Sequence, residues 1–208
     1  MKEIKRFKSK KNKVYLVECH GKELVKKQFA NKNNYSIEKK FYINSRFETI
    51  TKPQLLKYDD ENTTLYFEYV NAQTLLTKLE TCEANNRIEQ AKELLLKLCN
   101  YIMEFSNLNY IKSNHLCFND MNFRNFLVLN NELVAIDFED ICQGLIVNDL
   151  IKIVAMYLMY TPQLTQFKTK VADFIKQHIQ QILGLSQLEV SMLVKQELEI
   201  IKVRRDGA

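Results

Sequence analysis

Residues Phe118 to Asp140, FNDMNFRNFLVLNNELVAIDFED, hold two short apolar runs on either side of an asparagine pair. The runs are Phe126-Leu-Val-Leu129 and Leu133-Val-Ala-Ile136, separated by Asn130-Asn131 and Glu132. Two apolar strands around a two-residue loop predict a β-hairpin, because asparagine tolerates the positive φ that such a turn needs. Pairing Leu129 with Glu132 brings Asn125 and Asp137 near each other at the open end of the hairpin. An amide oxygen and a carboxylate are hard ligands, suited to Mg²⁺ carrying phosphates. Asp120, five residues before Asn125 on the preceding loop, is placed to accept a proton from an incoming hydroxyl. Alone, each of these residues would read as a turn marker. Together, with strands between them, they suit phosphoryl transfer, where catalysis is mostly positioning and charge neutralisation.

Upstream of this segment the chain is β-rich. Val14–Val17 and Glu23–Phe29 read as strands around the turn His20-Gly21. A helix is expected from about Ser36, with Ile37, Phe41 and either Ile43 or Asn44 on its packed face, and Pro53 ends that region. Gln54–Tyr58 and Thr63–Val70 read as two further strands. After Val70 the pattern turns helical. Ile88, Ala91, Leu95, Leu98, Ile102 and Phe105 fall on one face between Asn85 and Phe105. Asn148 is the expected cap of a helix through Ile151, Val154 and Leu158. Another helix carries Phe167, Val171, Ile175, Ile179 and Ile182, and Gly184 closes it. Ser186 and Glu189 have capping-box spacing, and Arg204–Ala208 reads as a frayed tail. The expected fold class is therefore α+β, with a β-rich lobe over residues 1–70 and a helical lobe over residues 71–208.

Composition narrows the function classes. Hydrophobic content of 46% and charged content of 26% describe a globular chain. No apolar run reaches the roughly 18–20 residues of a membrane span. The basic start MKEIKRFKSKKNK has no apolar segment after it, so it is not a secretory signal. Five scattered cysteines without a CxxC pair fit reduced thiols in a cytoplasmic protein better than disulfides or a zinc site. The formal net charge is +5, and the lysines and arginines cluster near the N-terminus. Nucleic acid is not the expected principal substrate, since no recognised binding motif accompanies that charge.

The order of these segments resembles the protein-kinase-like superfamily, in its aminoglycoside phosphotransferase and choline kinase branch, over residues 12 to about 160. The family's catalytic loop, H-G-D-x-x-x-x-N, is matched by Phe118-Asn119-Asp120-Met-Asn-Phe-Arg-Asn125, and its metal motif by Ile136-Asp137-Phe138-Glu139. The resemblance implies a two-lobed fold with a small antiparallel N-lobe and a helical C-lobe. It makes Asp120 the catalytic base, and Asn125 and Asp137 the Mg²⁺ ligands. It assigns the phosphate-binding lysine to Leu24-Val-Lys-Lys-Gln-Phe29. Side chains alternate along a strand, so Val25 and Lys27 share a face and Lys26 points away. The family's lysine follows a small apolar residue by two positions, which favours Lys27, with Glu38 as its partner. Leu65–Val70 is similar to the family's hinge, where Phe67 would back the adenine pocket and backbone groups of Glu68 and Val70 would read the adenine edge. Asp149 matches an aspartate that steadies the catalytic loop.

Three positions depart from the family pattern. Phe118 replaces the family's histidine, Asn122 stands where relatives carry lysine or histidine, and the loop Ser9–Lys13 has no glycine. About 70 residues follow Asp137, enough for roughly three helices of ordinary length. The resemblance implies an ATP- and Mg²⁺-dependent kinase acting on a hydroxyl of a small metabolite such as an amino alcohol, a sugar or an aminoglycoside. Glu139 and Asp140 read either as solvated loop acids or as contacts for a cationic acceptor. Two other functions fit the same motifs: a divergent pseudokinase that binds nucleotide or a partner, and a small protein- or tRNA-associated kinase.

Overall fold

The computed structural model describes residues 1–108 and 115–206. In chain order the first strands are β1 (Lys2–Phe7), β2 (Lys13–Cys19) and β3 (Lys22–Gln28). Helix α1 (Lys32–Ile43) follows, then β4 (Leu55–Asp59), β5 (Thr64–Glu68) and the two-residue β6 (Gln73–Thr74). Helices α2 (Leu75–Ala84) and α3 (Ile88–Asn107) precede β7 (His115–Cys117), β8 (Phe126–Leu129), β9 (Glu132–Ala135) and β10 (Cys142–Gly144). The chain continues with α4 (Ile146–Met159), α5 (Gln166–Leu183) and α6 (Gln187–Asp206). The architecture is α+β. Among the described residues, no helix is long and apolar enough to cross a membrane.

The chain divides into two compact units. The first joins Met1–Gln73 to Phe126–Ile141, so the hairpin belongs with the N-terminal strands and not with the helices that surround it in sequence. Its sheet is antiparallel throughout, in the order β1-β2-β3-β5-β4. Strand β1 is an addition to the expected set. Five of its six residues are exposed, so it lacks the apolar alternation that marks a strand. Helix α1 begins at Lys32, earlier than Ser36, because the Asn31 side chain accepts from the backbone N–H groups of Asn33 and Asn34. Its buried face carries Tyr35, Glu38 and Phe41, whereas Ile43 and Asn44 are exposed.

The hairpin forms in the expected register, with Leu129 opposite Glu132 and Phe126 opposite Ala135. Asn130 and Asn131 both take positive φ, at 49° and 67°. That is the geometry of a turn whose twist matches its strands. The Ala135 N–H donates to the Thr51 carbonyl, which ties the hairpin to the segment before β4. Beyond β9, Phe138 is fully buried and stacks on Phe41, with ring centroids 4.1 Å apart.

The second unit comprises Thr74–Asn125 and Cys142–Ala208. Helix α4 packs on α3, α5 and α6, and its sequence IVNDLIKIVAMYLM is buried on most sides. It starts at Ile146 with no side-chain cap, which places Asn148 inside the first turn and not at the cap. Gly184 closes α5 at φ 66°. Ser186 and Glu189 bond reciprocally at the start of α6. That helix runs on through Arg204 and Arg205, and the Arg205 guanidinium donates to the Met159 carbonyl at 2.5 Å. The expected frayed tail is therefore helical to Asp206, while Gly207 and Ala208 lie outside the described residues.

Candidate functional site

Alternation along β3 sends Lys27 to the α1 side of the sheet, where it is 6% exposed. Its ammonium lies 2.6 Å from Glu38 of α1 and 2.6 Å from Asp137, and 3.3 Å from Glu139. The ring of Phe29 sits 4.6 Å from the same nitrogen. Lys26 faces the other side and takes no part in this cluster. Lys27, and not Lys26, is therefore the lysine of β3 that meets Glu38 and Asp137.

Three carboxylates surround one ammonium, which leaves an excess of two negative charges when all are ionised. Burial drives the Glu38 carboxyl upward, only partly offset by Lys27, and the neighbouring Asp137 and Glu139 add to the rise, so that it is pushed up to about 7. Burial alone would lower Lys27, but Glu38, Asp137 and Glu139 outweigh it and the net shift is upward. The ammonium is thus firmly protonated, and the cluster favours cations. One oxygen each from Glu38, Asp137 and Glu139 lie within 4.8 Å of one another. These are hard oxygen donors, and the Lys27 ammonium stands among them.

Asp137 adopts φ 68°, in the left-handed region. Aspartate enters it more readily than most residues, because its short polar side chain bonds locally. The residue sits two positions past the end of β9, so the hairpin delivers its carboxylate to Lys27. Glu139 lies two residues further and is 3% exposed. This corrects its expected place as a solvated loop acid. Its carboxylate accepts from the Asn12 side-chain amide at 2.5 Å. Asn12, 8% exposed, also accepts from the Ala30 N–H, and its own N–H donates to Ser9. The next acid, Asp140, pairs with Lys11 at 2.6 Å. The glycine-free loop is therefore held to the acidic cluster through Asn12 and Lys11. Sequence reasoning missed Asn12 and the burial of Glu139. The two-residue step from Asp137 to Glu139 was the available signal.

Phe67 is 6% exposed and packs in a cluster with Phe29, Tyr35 and Leu65, flanked by Val25, Tyr42 and Leu55. The Glu68 N–H donates to the Gln54 carbonyl, and the Val70 carbonyl accepts from Ala72. Those two backbone groups are already engaged, which narrows what Glu68 and Val70 can offer a ligand.

Asp120 and Asn125 belong to the second unit. Asp120 is exposed, and its N–H donates to the Phe118 carbonyl at 2.7 Å. Asn125 ends a short 3₁₀ turn, Phe123–Asn125, immediately before β8. Phe118 is buried against Phe105 with centroids 4.3 Å apart. Its N–H donates to buried Asp149 at 2.7 Å. Burial raises the Asp149 carboxyl, and the N–H groups of Phe118 and Asn119 work against that rise. Lys152 donates to the Asn119 carbonyl at 3.0 Å. Tyr160 provides a second anchor: its hydroxyl accepts from Phe123 N–H and donates to the Asn122 side chain. The loop is thus fixed by Asp149, Lys152 and Tyr160. No protein-family model matches this chain, and no curated protein matches it either.

Proposed function

We propose that this chain is a small two-lobed, protein-kinase-like phosphotransferase that moves the γ-phosphate of ATP to a hydroxyl of a small metabolite such as an amino alcohol, a sugar or an aminoglycoside. The observation that supports it is the buried Lys27 ammonium, held at 2.6 Å by both Glu38 and Asp137. A lysine clamped by a helix glutamate, next to an acid beyond a hairpin, is how such enzymes orient phosphates. In this reading Lys27 holds the phosphates and Glu38 aims it. Asp120 takes the proton of the acceptor hydroxyl. Asn125 and Asp137 would hold Mg²⁺, which supplies neutralisation of phosphate charge. Phe67 backs the adenine, and Glu68 and Val70 border it.

The test is the melting temperature with ATP, Mg²⁺ or both, for the wild type and Asp137→Asn, followed by ADP release over a panel of hydroxyl acceptors. Asparagine also tolerates positive φ, so this substitution removes the charge while sparing the backbone. Stabilisation that needs ATP and Mg²⁺ together, and that is lost in the variant, is the expected result. ATP stabilisation without Mg²⁺ and without turnover would favour a nucleotide-binding pseudokinase. The anchoring of the glycine-free loop by Asn12 and Lys11 is the feature that favours this second reading. No stabilisation at all would overturn both.

A further inference from the structure

The register of the five-stranded sheet brings Arg6, Tyr15, Lys26, Tyr66 and Lys57 directly opposite one another on successive strands. Opposed residues of antiparallel strands project to the same face. A single row therefore crosses the whole sheet in the order cation, aromatic, cation, aromatic, cation. It occupies the face away from Lys27, since Lys26 and Lys27 are neighbours on β3 and point to opposite sides. The Arg6 guanidinium lies 5.9 Å from the Tyr15 ring centroid, and the Lys57 ammonium 5.9 Å from that of Tyr66. Arg6 and Lys57 are exposed, and Tyr15, Lys26 and Tyr66 are half-buried. Strands stand about 4.8 Å apart, so the two tyrosines are separated by roughly 10 Å with an ammonium between them.

The adjoining rows give this path a direction. On one side Glu3, Val17, Leu24 and Glu68 line up, with an acid at each end. On the other, Lys13, Gln28 and Thr64 line up, with Asp59 at the β4 edge. Exposed Lys8 and Lys10 extend the basic surface beyond β1 toward Lys13. An anionic polymer lying along the central row meets cations within the row and carboxylates beside it.

We propose that this face binds single-stranded nucleic acid, with the phosphates following Arg6, Lys26 and Lys57 and bases stacking on Tyr15 and Tyr66. Aromatic rings set between cations along a sheet row serve unstacked bases, whose faces a duplex hides. A lipid surface would call for protruding apolar side chains, and the row has none. The proposal does not depend on the phosphotransferase reading.

The test is fluorescence anisotropy of the full chain with a labelled single-stranded oligouridine of about 12 nucleotides. It is run over a series of salt concentrations, with a duplex of the same length and phosphatidylserine vesicles as competitors. Tyr15→Leu and Tyr66→Leu should each weaken binding about tenfold with little change in salt dependence. Arg6→Gln and Lys57→Gln, at exposed positions that leave the fold intact, should each weaken binding and lower the slope of log affinity against log salt by about 0.7. Melting temperatures of all four variants separate lost binding from lost folding. Absence of single-strand binding at low salt, equal competition by the duplex, displacement by vesicles alone, or unchanged affinity in both folded tyrosine variants would each overturn the proposal.

Discussion

The side-chain amide of Asn12 donates to Glu139 at 2.5 Å, although 127 positions separate the two residues. The bond is buried and involves a charged acceptor, so it contributes more than a surface contact would. Asn12→Ala should cost about 2 kcal/mol of stability, read as a lower urea midpoint at an unchanged slope. With the loop untied from the acidic cluster, the phosphotransferase reading also expects a higher KM for ATP with a smaller change in kcat.

Glu38 titrates in the folded protein near 7, against an ordinary value of 4.5. Between these values the unfolded chain releases the proton while the folded protein keeps it. Stability contributed by the protonated form is full below about 4.5 and falls as pH rises toward 7. Glu38→Gln should remove this component, with a difference from wild type of up to about 3 kcal/mol across the window. Urea midpoints of both proteins at several pH values test this, and parallel profiles would refute the assignment.

Removing the ammonium should be more severe. Lys27→Met takes the buried ammonium away from Glu38, Asp137 and Glu139, leaving Lys11 3.7 Å from Glu139, at a cost of about 3–5 kcal/mol near neutrality. Acidification neutralises carboxylates, so the deficit should shrink as pH falls. A deficit that stays constant with pH would mean that lost packing, not repulsion, dominates.

Asp149 accepts from the Phe118 N–H in a buried setting. Asp149→Ala should cost about 1–3 kcal/mol by orphaning that donor. Asp149→Asn retains an acceptor oxygen and should recover much of the loss. If the loop carries the catalytic base, kcat should follow the same order of variants while KM for ATP changes little.

Phe138 is fully buried on Phe41, with Tyr42 meeting it edge-on at 5.6 Å. Phe138→Ala should cost about 3–5 kcal/mol, measured by denaturant unfolding.

The elements that were legible in the sequence share a local cause. The hairpin, the capping box at Ser186 and the closing glycine at 184 are each specified by residues within a few positions of one another. Strand β1 was not legible, because it is an edge strand whose mostly exposed side chains show no alternation. The start of α1 was obscured by a run of asparagines, any of which has the chemistry of a cap. At the acidic cluster, alternation set Lys27 apart from Lys26, and the hairpin set Asp137 just past its open end. The bond between Asn12 and Glu139 left no local trace, because it depends on segments brought together by the completed sheet and hairpin. The basic and aromatic row is of the same kind: its members are scattered from Arg6 to Tyr66, and pairing register alone aligns them.

The first compact unit is discontinuous in the chain, and this bears on its synthesis. When Gln73 has been made, Lys27 and Glu38 are both present, but Asp137 and Glu139 are not. All of Thr74–Asn125 must be translated before the segment that completes the cluster exists. The nascent N-terminal strands therefore wait, with a lysine destined for burial short of two of its three counter-charges, until a later part of the polypeptide supplies them. A fragment ending at Gln73 would contain every strand of the five-stranded sheet and still lack the charge balance that lets its interior close.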